Sequence, residues 1–387
     1  MGEFDILHHI YAANADLGAQ VTVPPGDDMA AMRWSAGELL VAVDQCVDGV
    51  HVDVSRMSMA QIGRKAMLRS LSDIAAMAAQ PMASLAAATL PRAMSDASAC
   101  ELADAMRESA REFNAPLIGG DLARHRHADH DGPLVISVTV LAVPGPVGAV
   151  LRSGALVGDG VYVTGELGAT LDEDGGGRGG RGGHHLTFTP RIDAALWLAR
   201  QLGTRLHAMI DISDGLGRDA GHIARDSGVD VQLDACAIPR RNECSVAHAV
   251  MDGEDYELCF TAAGEVPRLT PAGVRITRVG SVVSAVDRGD GGAWMINLKD
   301  DEVREMHVLD ARRTGGRLGG AADRSAGRTM GGGGGEKGPG AGVEAGDVAG
   351  SAGYSQGDRA GTGERSVGGV GGVCVVRIDT FGWEHDS

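Results

Sequence analysis

Lysine is almost missing from this chain. Lys65, Lys299 and Lys337 are the only three in 387 residues, and Lys+Arg total 35 against 52 Asp+Glu, for a formal net charge of -17. A nucleic-acid surface needs basic side chains along the phosphate track, so no nucleic-acid partner is expected. No G-x-x-x-x-G-K-[ST] occurs, which excludes a Walker-type nucleotide loop. A phosphate ligand must therefore reach the protein through metal. The six cysteines, Cys46, Cys100, Cys236, Cys244, Cys259 and Cys374, include no C-x-x-C, so neither a zinc ribbon nor a disulfide framework is indicated and a reducing cytoplasm fits. Long apolar runs are lacking too. The longest, residues 74–90, is alanine-rich and broken by Gln80 and Pro81, too short and weak to span a bilayer, so no membrane role is expected. The N-terminus carries acids where a secretory signal carries basic residues, and position 6 is Ile where myristoylation wants Ser or Thr.

What the chain does have is aspartate at well-defined places. Met209-Ile210-Asp211-Ile212-Ser213-Asp214-Gly215-Leu216-Gly217 reads as an apolar strand, two carboxylates, a hydroxyl and a glycine that opens a helix. Four other segments are expected to deliver aspartate to similar junctions: Gly26-Asp27-Asp28, Val43-Asp44, Leu71-Ser72-Asp73 and Gly119-Gly120-Asp121. A single Asp at such a place usually caps a helix or fills a turn. A set of them gathered in space repels itself unless a cation neutralises it, and hard oxygen ligands favour Mg²⁺ or Ca²⁺ over zinc. The expectation is a magnesium site.

The length suits about two domains. A short helix is expected over residues 3–13, a buried strand over 39–43, a helix over 58–79 and a strand over 82–90. A helix over 96–114, capped by Ser95 or Asp96, precedes the strongest strand of this half at 134–143. Strands and helices interleave, so the class is mixed α/β. Pro144-Gly145-Pro146 separates an N-terminal domain, 1–143, from a C-terminal domain, 151–310. In the second, strands are expected at 160–164, 229–233 and 257–261, a helix at 191–202, and a hairpin over 293–309 with Asp300-Asp301 at its turn. The glycine–arginine run 175–183 reads as a mobile loop, and 311–372 as a Gly-rich, disordered insertion. Strand-like character returns in a terminal segment, 373–387, which is expected to fold back onto the body.

Several residues admit two readings. Gly119-Gly120 is either an ordinary turn or a close backbone approach to phosphate. Arg152 is a surface arginine or a neutraliser of phosphate charge. Lys65 reads as a helix-surface residue and His51 as a satisfied turn histidine. His125, His127 and His130 fit no ligand spacing and read as a polar loop. Trp383 either caps a core edge or stacks on a flat substrate ring.

Taken in order, Gly26-Asp27-Asp28, Asp44 with Gly49-Val50-His51, Leu71-Ser72-Asp73-Ile74-Ala75-Ala76-Met77, Gly119-Gly120-Asp121, Arg152-Ser153-Gly154-Ala155, Ile210-Asp211-Ile212-Ser213-Asp214-Gly215-Leu216 and Gly253-Glu254-Asp255-Tyr256-Glu257-Leu258 resemble the thiamine-monophosphate kinase family. That family belongs with aminoimidazole ribonucleotide synthetase and selenophosphate synthetase. The resemblance implies the two-domain fold of that superfamily, a cytoplasmic homodimer whose N-terminal sheets pair, and transfer of phosphate from ATP to thiamine monophosphate with Mg²⁺. It also implies metal ligands at Asp28, Asp44, Asp73, Asp121, Asp211 and Asp214, and nucleotide contacts at Phe113, Gly120, Asp121, Arg152 and Ser213. Substrate contacts fall at His51, Glu254 and Trp383. Where the family has Ser/Thr-Thr-Asp this chain has Ala42-Val43-Asp44, so a backbone carbonyl such as that of Val43 must replace hydroxyl ligands; Asp252 also replaces a glycine. A phosphate-monoester acceptor is already an anionic nucleophile, so no catalytic base is implied and the transfer is in-line. Two alternatives stand beside it: another ATP-using member of the superfamily, and a metal- and nucleotide-binding dimer without turnover. Selenophosphate synthesis would want a reactive Cys before Gly26, where there is none.

Overall fold

The computed structural model describes residues 21–24, 26–35, 37–126, 131–170, 183–285, 291–313, 368–370 and 373–379. The expected helix at 3–13, most of the glycine–arginine run, His127, His130, most of 311–372 and Trp383 lie outside them.

The first half runs β1 (Val21–Val23), β2 (Ala30–Trp34), β3 (Gly37–Val47), α1 (Met59–Ala76), β4 (Gln80–Leu90), α2 (Asp96–Glu112), β5 (Leu117–Arg124) and β6 (Val135–Val143). The strands form one sheet in the order β1-β2-β3-β6-β4-β5. In β6 every second side chain, from Ile136 to Ala142, is buried beneath the helices, the period of a sheet with one covered face. Both helices carry the caps their sequences call for. Ser58 accepts from the Gln61 amide in a full capping box, and Ser95 accepts from Ser98. α1 is buried almost all round, because it packs on α2, on the sheet, and on the second half of the molecule through residues 192–202 and 206–211.

That second half comprises β7 (Gly160–Thr164), α3 (His184–Thr187), α4 (Ile192–Leu202), β8 (Leu206–Asp211), α5 (Leu216–Ser227), β9 (Asp230–Asp234), α6 (Val246–Met251), β10 (Leu258–Ala262), β11 (Ile276–Val283), β12 (Gly292–Ile296), α7 (Asp300–Arg313), β13 (Gly368–Val370) and β14 (Val373–Arg377). Its strands form a second sheet, β13-β14-β12-β9-β11-β7-β10-β8. The mixed α/β class and two-sheet architecture are as expected. The hairpin over 293–309 is not. β12 pairs in parallel with β9, and Asp300-Asp301 opens α7. Acids in a first helical turn meet the positive end of the helix dipole, which the turn reading ignored.

β14 runs antiparallel to β12, and the Ile378 amide donates to the Ala293 carbonyl at 2.8 Å. This terminal segment lies against α5 where Gly217 and Gly221 leave no side chain: a Cβ on Gly217 would stand 2.8 Å from the Ile378 carbonyl oxygen, and one on Gly221 2.4 Å from the Asp379 Cβ. Buried Asp379 completes the contact by pairing with Arg225 at 3.0 Å and Arg377 at 2.8 Å. β8 forms the opposite edge of this sheet and lies against α1, so the sheet ends where the first half begins.

Candidate active site

The site is built along one side of α1. Lys65, Arg69, Ser72 and Asp73 are spaced i, i+4, i+7, i+8, which places them on one helical face. At its C-terminal end Ser72 donates to Asp211 Oδ2 at 2.6 Å, joining the two halves of the molecule. Oxygens of Asp28, Asp73 and Asp211 lie within 4.8 Å of one another. Burial, then repulsion from Asp44, Asp211 and Asp28, pushes Asp73 well up from the ordinary carboxylate range. Asp211 rises to about 7, through burial first and the Asp28 charge second. Asp44 is raised by burial too, an effect the Arg69 charge opposes and Asp214 and Asp28 reinforce. Asp28, in the turn before β2, is held by Arg152, whose Nη2 and Nε donate at 2.6 and 3.2 Å.

The expectation that each aspartate occupies a strand-to-helix junction is corrected. Asp211 and Asp214 do; Asp44 lies inside β3, Asp73 inside α1 and Asp121 inside β5. Gly119-Gly120 is strand, not turn. Asp44, Val138, Ala86 and Gly120 form one cross-strand row, and a Cβ on Gly120 would stand 1.8 Å from the Ala86 carbonyl oxygen. Strand packing accounts for that glycine. Asp121 follows it on the other face of edge strand β5, exposed and apart from the Asp28–Asp73–Asp211 group. The Val43 side chain points to solvent from β3, and Phe113 is half-buried against the N-terminal core at the end of α2.

After β8 the chain turns through Ser213 and Asp214, whose amides donate to Asp219 Oδ2 at 3.0 and 3.1 Å. Asp219, in the first turn of α5, thus takes the capping role that Gly215 cannot fill. Burial first, then Asp214 and Asp211, raises its carboxyl well up. The Ser213 carbonyl in turn accepts from the Glu254 amide at 2.7 Å, which ties this turn to the Gly253-Glu254-Asp255 loop.

At the N-terminal end of the α1 face, Lys65 is no surface residue. It is fully buried, and its Nζ donates to Glu254 Oε2 at 2.7 Å and to the His51 carbonyl at 2.7 Å, with His185 Nδ1 at 3.0 Å. Burial lowers the lysine pKa, and the Glu254 carboxylate opposes that. His51, whose Nδ1 accepts from the Val47 amide at 3.1 Å, and Glu254 are thereby brought together by a residue expected elsewhere. Sequence reasoning also missed Arg69, His185 and Asp219. The signal for Arg69 was present, since it shares the helical face of Asp73.

The donor set fits a divalent cation. Asp28, Asp73 and Asp211 offer hard carboxylate oxygens, and the raised carboxyls of Asp73 and Asp211 mark an electrostatic cost that such a cation relieves. A separate cavity of about 470 Å³ is lined by His184, Arg191, Arg241, Glu257 and Arg275 among others, away from this group. Its arginines pair with acids: Arg191 with Glu257, Arg241 with Asp255 and Arg275 with Glu166.

Residues 26–143 match the family model of AIR synthase related protein, N-terminal domain. The chain is 34% identical over 296 residues to the thiamine-monophosphate kinase of Rhodopirellula baltica, covering 71% of this chain and 86% of that one. It is 31% identical over 291 residues to that of Mycobacterium tuberculosis, covering 69% and 82%. Among solved structures, AaThiL complexed with AMPPCP and TMP superposes with a TM-score of 0.61 at 25% identity, over 76% of this chain and 93% of that one.

Proposed function

We propose that this chain, which belongs to the thiamine-monophosphate kinase family, phosphorylates thiamine monophosphate to thiamine diphosphate with ATP and Mg²⁺. The observation that carries the reading is the convergence of Asp28, Asp73 and Asp211 from both halves of the molecule, about two helical turns along α1 from a buried group that orients Glu254 and His51. Magnesium held by Asp28, Asp73 and Asp211, with Asp44 and Asp214 close in field, would supply charge neutralisation to phosphate oxygens. The protein's own part is alignment. Arg152 fixes Asp28, its role toward nucleotide resting on the resemblance, Ser72 orients Asp211, and Asp219 holds the Ser213–Asp214 turn. Lys65 fixes Glu254, and with it the acceptor side. An acceptor phosphate oxygen attacks the γ-phosphorus of ATP in line as the bond to the bridging oxygen breaks, and ADP leaves with that electron pair. No side chain need remove a proton. The roles of Asp121, Gly120, Phe113 and Val43 toward metal and nucleotide rest on the resemblance.

The N-terminal sheet supports a homodimer. Val43, Thr139, Leu85 and Gly119 form one row on the face opposite the helices, with Val43 63% and Leu85 37% exposed. A second copy would bury them. No helix among the described residues is long and apolar enough to cross a membrane. The free cysteines Cys46, Cys100, Cys236, Cys244 and Cys259 accord with a reducing compartment, and we place the kinase in the cytoplasm.

A coupled assay for ADP with thiamine monophosphate, ATP and Mg²⁺ tests the reading. Turnover that EDTA abolishes, and that Asp73→Asn lowers by about 10²-fold or more, is the expected result. Binding of both substrates without ADP release would favour the non-catalytic dimer; release that ignores thiamine monophosphate would favour another ATP-using relative.

A further inference from the structure

We propose that Arg69 grips the phosphate of the acceptor, and so makes the enzyme require a phosphorylated substrate. The inference rests on the kinase reading above and adds a residue to it. Arg69 leaves α1 one turn after Lys65 and one turn before Asp73, between the acceptor group and the carboxylates. Its Nε and Nη1 are buried and have no hydrogen-bond acceptor among the described residues. The nearest carboxylate oxygen paired with it, Glu254 Oε1, stands 3.8 Å from Nη1, an electrostatic contact beyond hydrogen-bond length. Burial works against its charge, but the fields of Tyr256, Asp44 and Glu254 more than offset that, so the guanidinium stays protonated.

A buried fork of donors left without acceptors is costly, and a ligand that supplies acceptors removes the cost. Guanidinium geometry matches two oxygens of one phosphate. Two other cations lie near this group, and the donors of each are already engaged. Arg152 is committed to Asp28 and Gly26 on the nucleotide side of the proposed site. Lys65 is fully engaged by Glu254, the His51 carbonyl and His185. Arg69 is the cation on the Glu254 side that has donors to spare. A phosphate monoester placed beside Glu254 would offer its oxygens to Arg69 Nε and Nη1. Its negative charge would then be partly neutralised before it meets a second phosphate.

Arg69→Met and Arg69→Lys test this by steady-state kinetics and calorimetry. Arg69→Met is expected to raise KM for thiamine monophosphate about 10- to 100-fold, with KM for ATP moving less than about twofold. Arg69→Lys, which restores charge without the fork, should recover part of the loss. Calorimetry with Mg²⁺ and a non-hydrolysable ATP analogue compares thiamine monophosphate with unphosphorylated thiamine. Wild type should prefer the phosphorylated ligand, and Arg69→Met should lose that preference. A preference retained in Arg69→Met overturns the inference. So do both KM values rising together alongside a fallen melting temperature, the signature of a structural counter-ion. If wild type binds thiamine monophosphate without turning it over, the kinase reading fails and the calorimetric comparison still decides the role of Arg69.

Discussion

Replacing Lys65 by methionine keeps its length but takes from buried Glu254 the ammonium that donates to it at 2.7 Å, leaving Arg69 at 3.8 Å as a more distant counter-charge. Both side chains are at most 2% exposed, so the loss is expected to be about 3–5 kcal/mol of stability, read by chemical denaturation. Glu254→Gln combined with Lys65→Met removes both charges and should recover much of it. The carboxylates make a second prediction, with pH as the variable. Asp211 titrates near 7 in the folded protein, against about 4 when unfolded. The folded state therefore binds more protons between those values, and this group's contribution to stability falls as pH rises from about 4 to 7. Without metal, the melting temperature of wild type relative to Asp211→Asn should decline across that window. Saturating Mg²⁺ should reverse the slope, because a cation replaces the proton. Part of this residue-level picture was legible: the gathering of Asp28, Asp73 and Asp211 could be expected from residue type, although Asp73 lies inside α1 and not at a junction. Lys65 did not, because a charge is buried or exposed according to a partner 189 residues away, and helical spacing alone cannot show Glu254 arriving.

At the scale of elements, α5 and the terminal strand depend on each other through absent side chains. Gly217→Val would drive a branched Cβ into the Ile378 carbonyl, and Gly221 offers no relief one turn on. We expect a loss of about 1–3 kcal/mol and faster hydrogen exchange at the Ile378 amide and along β14. Unchanged protection there would show that β14 is held by β12 alone. The alternation of β6, the caps at Ser58 and Ser95 and the strand at residues 160–164 could be read from local pattern, since local chemistry sets them. Residues 293–309 could not. Both a hairpin and a strand followed by a helix satisfy their apolar spacing, and the choice was made by β9, which gives β12 a parallel neighbour. The turn reading of Gly119-Gly120 failed for a related reason: the pair lies in β5, where Gly120 packs on Ala86 of another strand.

For the whole molecule, the proposed dimer rests on an apolar sheet face. Leu85→Asp would put a charge into the row shared with Val43 and Thr139, and a shift from dimer to monomer in light scattering, with secondary structure intact, is the expected outcome. An unchanged mass would move the dimer contact elsewhere. The first sheet ends with β6 at Val143, just ahead of Pro144-Gly145-Pro146, and the second begins with β7; their meeting along α1 was not legible, because it depends on contacts such as Ser72 to Asp211. That shared helix has a consequence for how such a protein can change. Each residue of a helix turns the next by about 100°, so one amino acid inserted ahead of Lys65 and absorbed within α1 would swing Lys65, Arg69, Ser72 and Asp73 away together. Acceptor recognition and cation binding are cut on one shaft like the teeth of a key, and drift in one cannot proceed by sliding the helix without jamming the other.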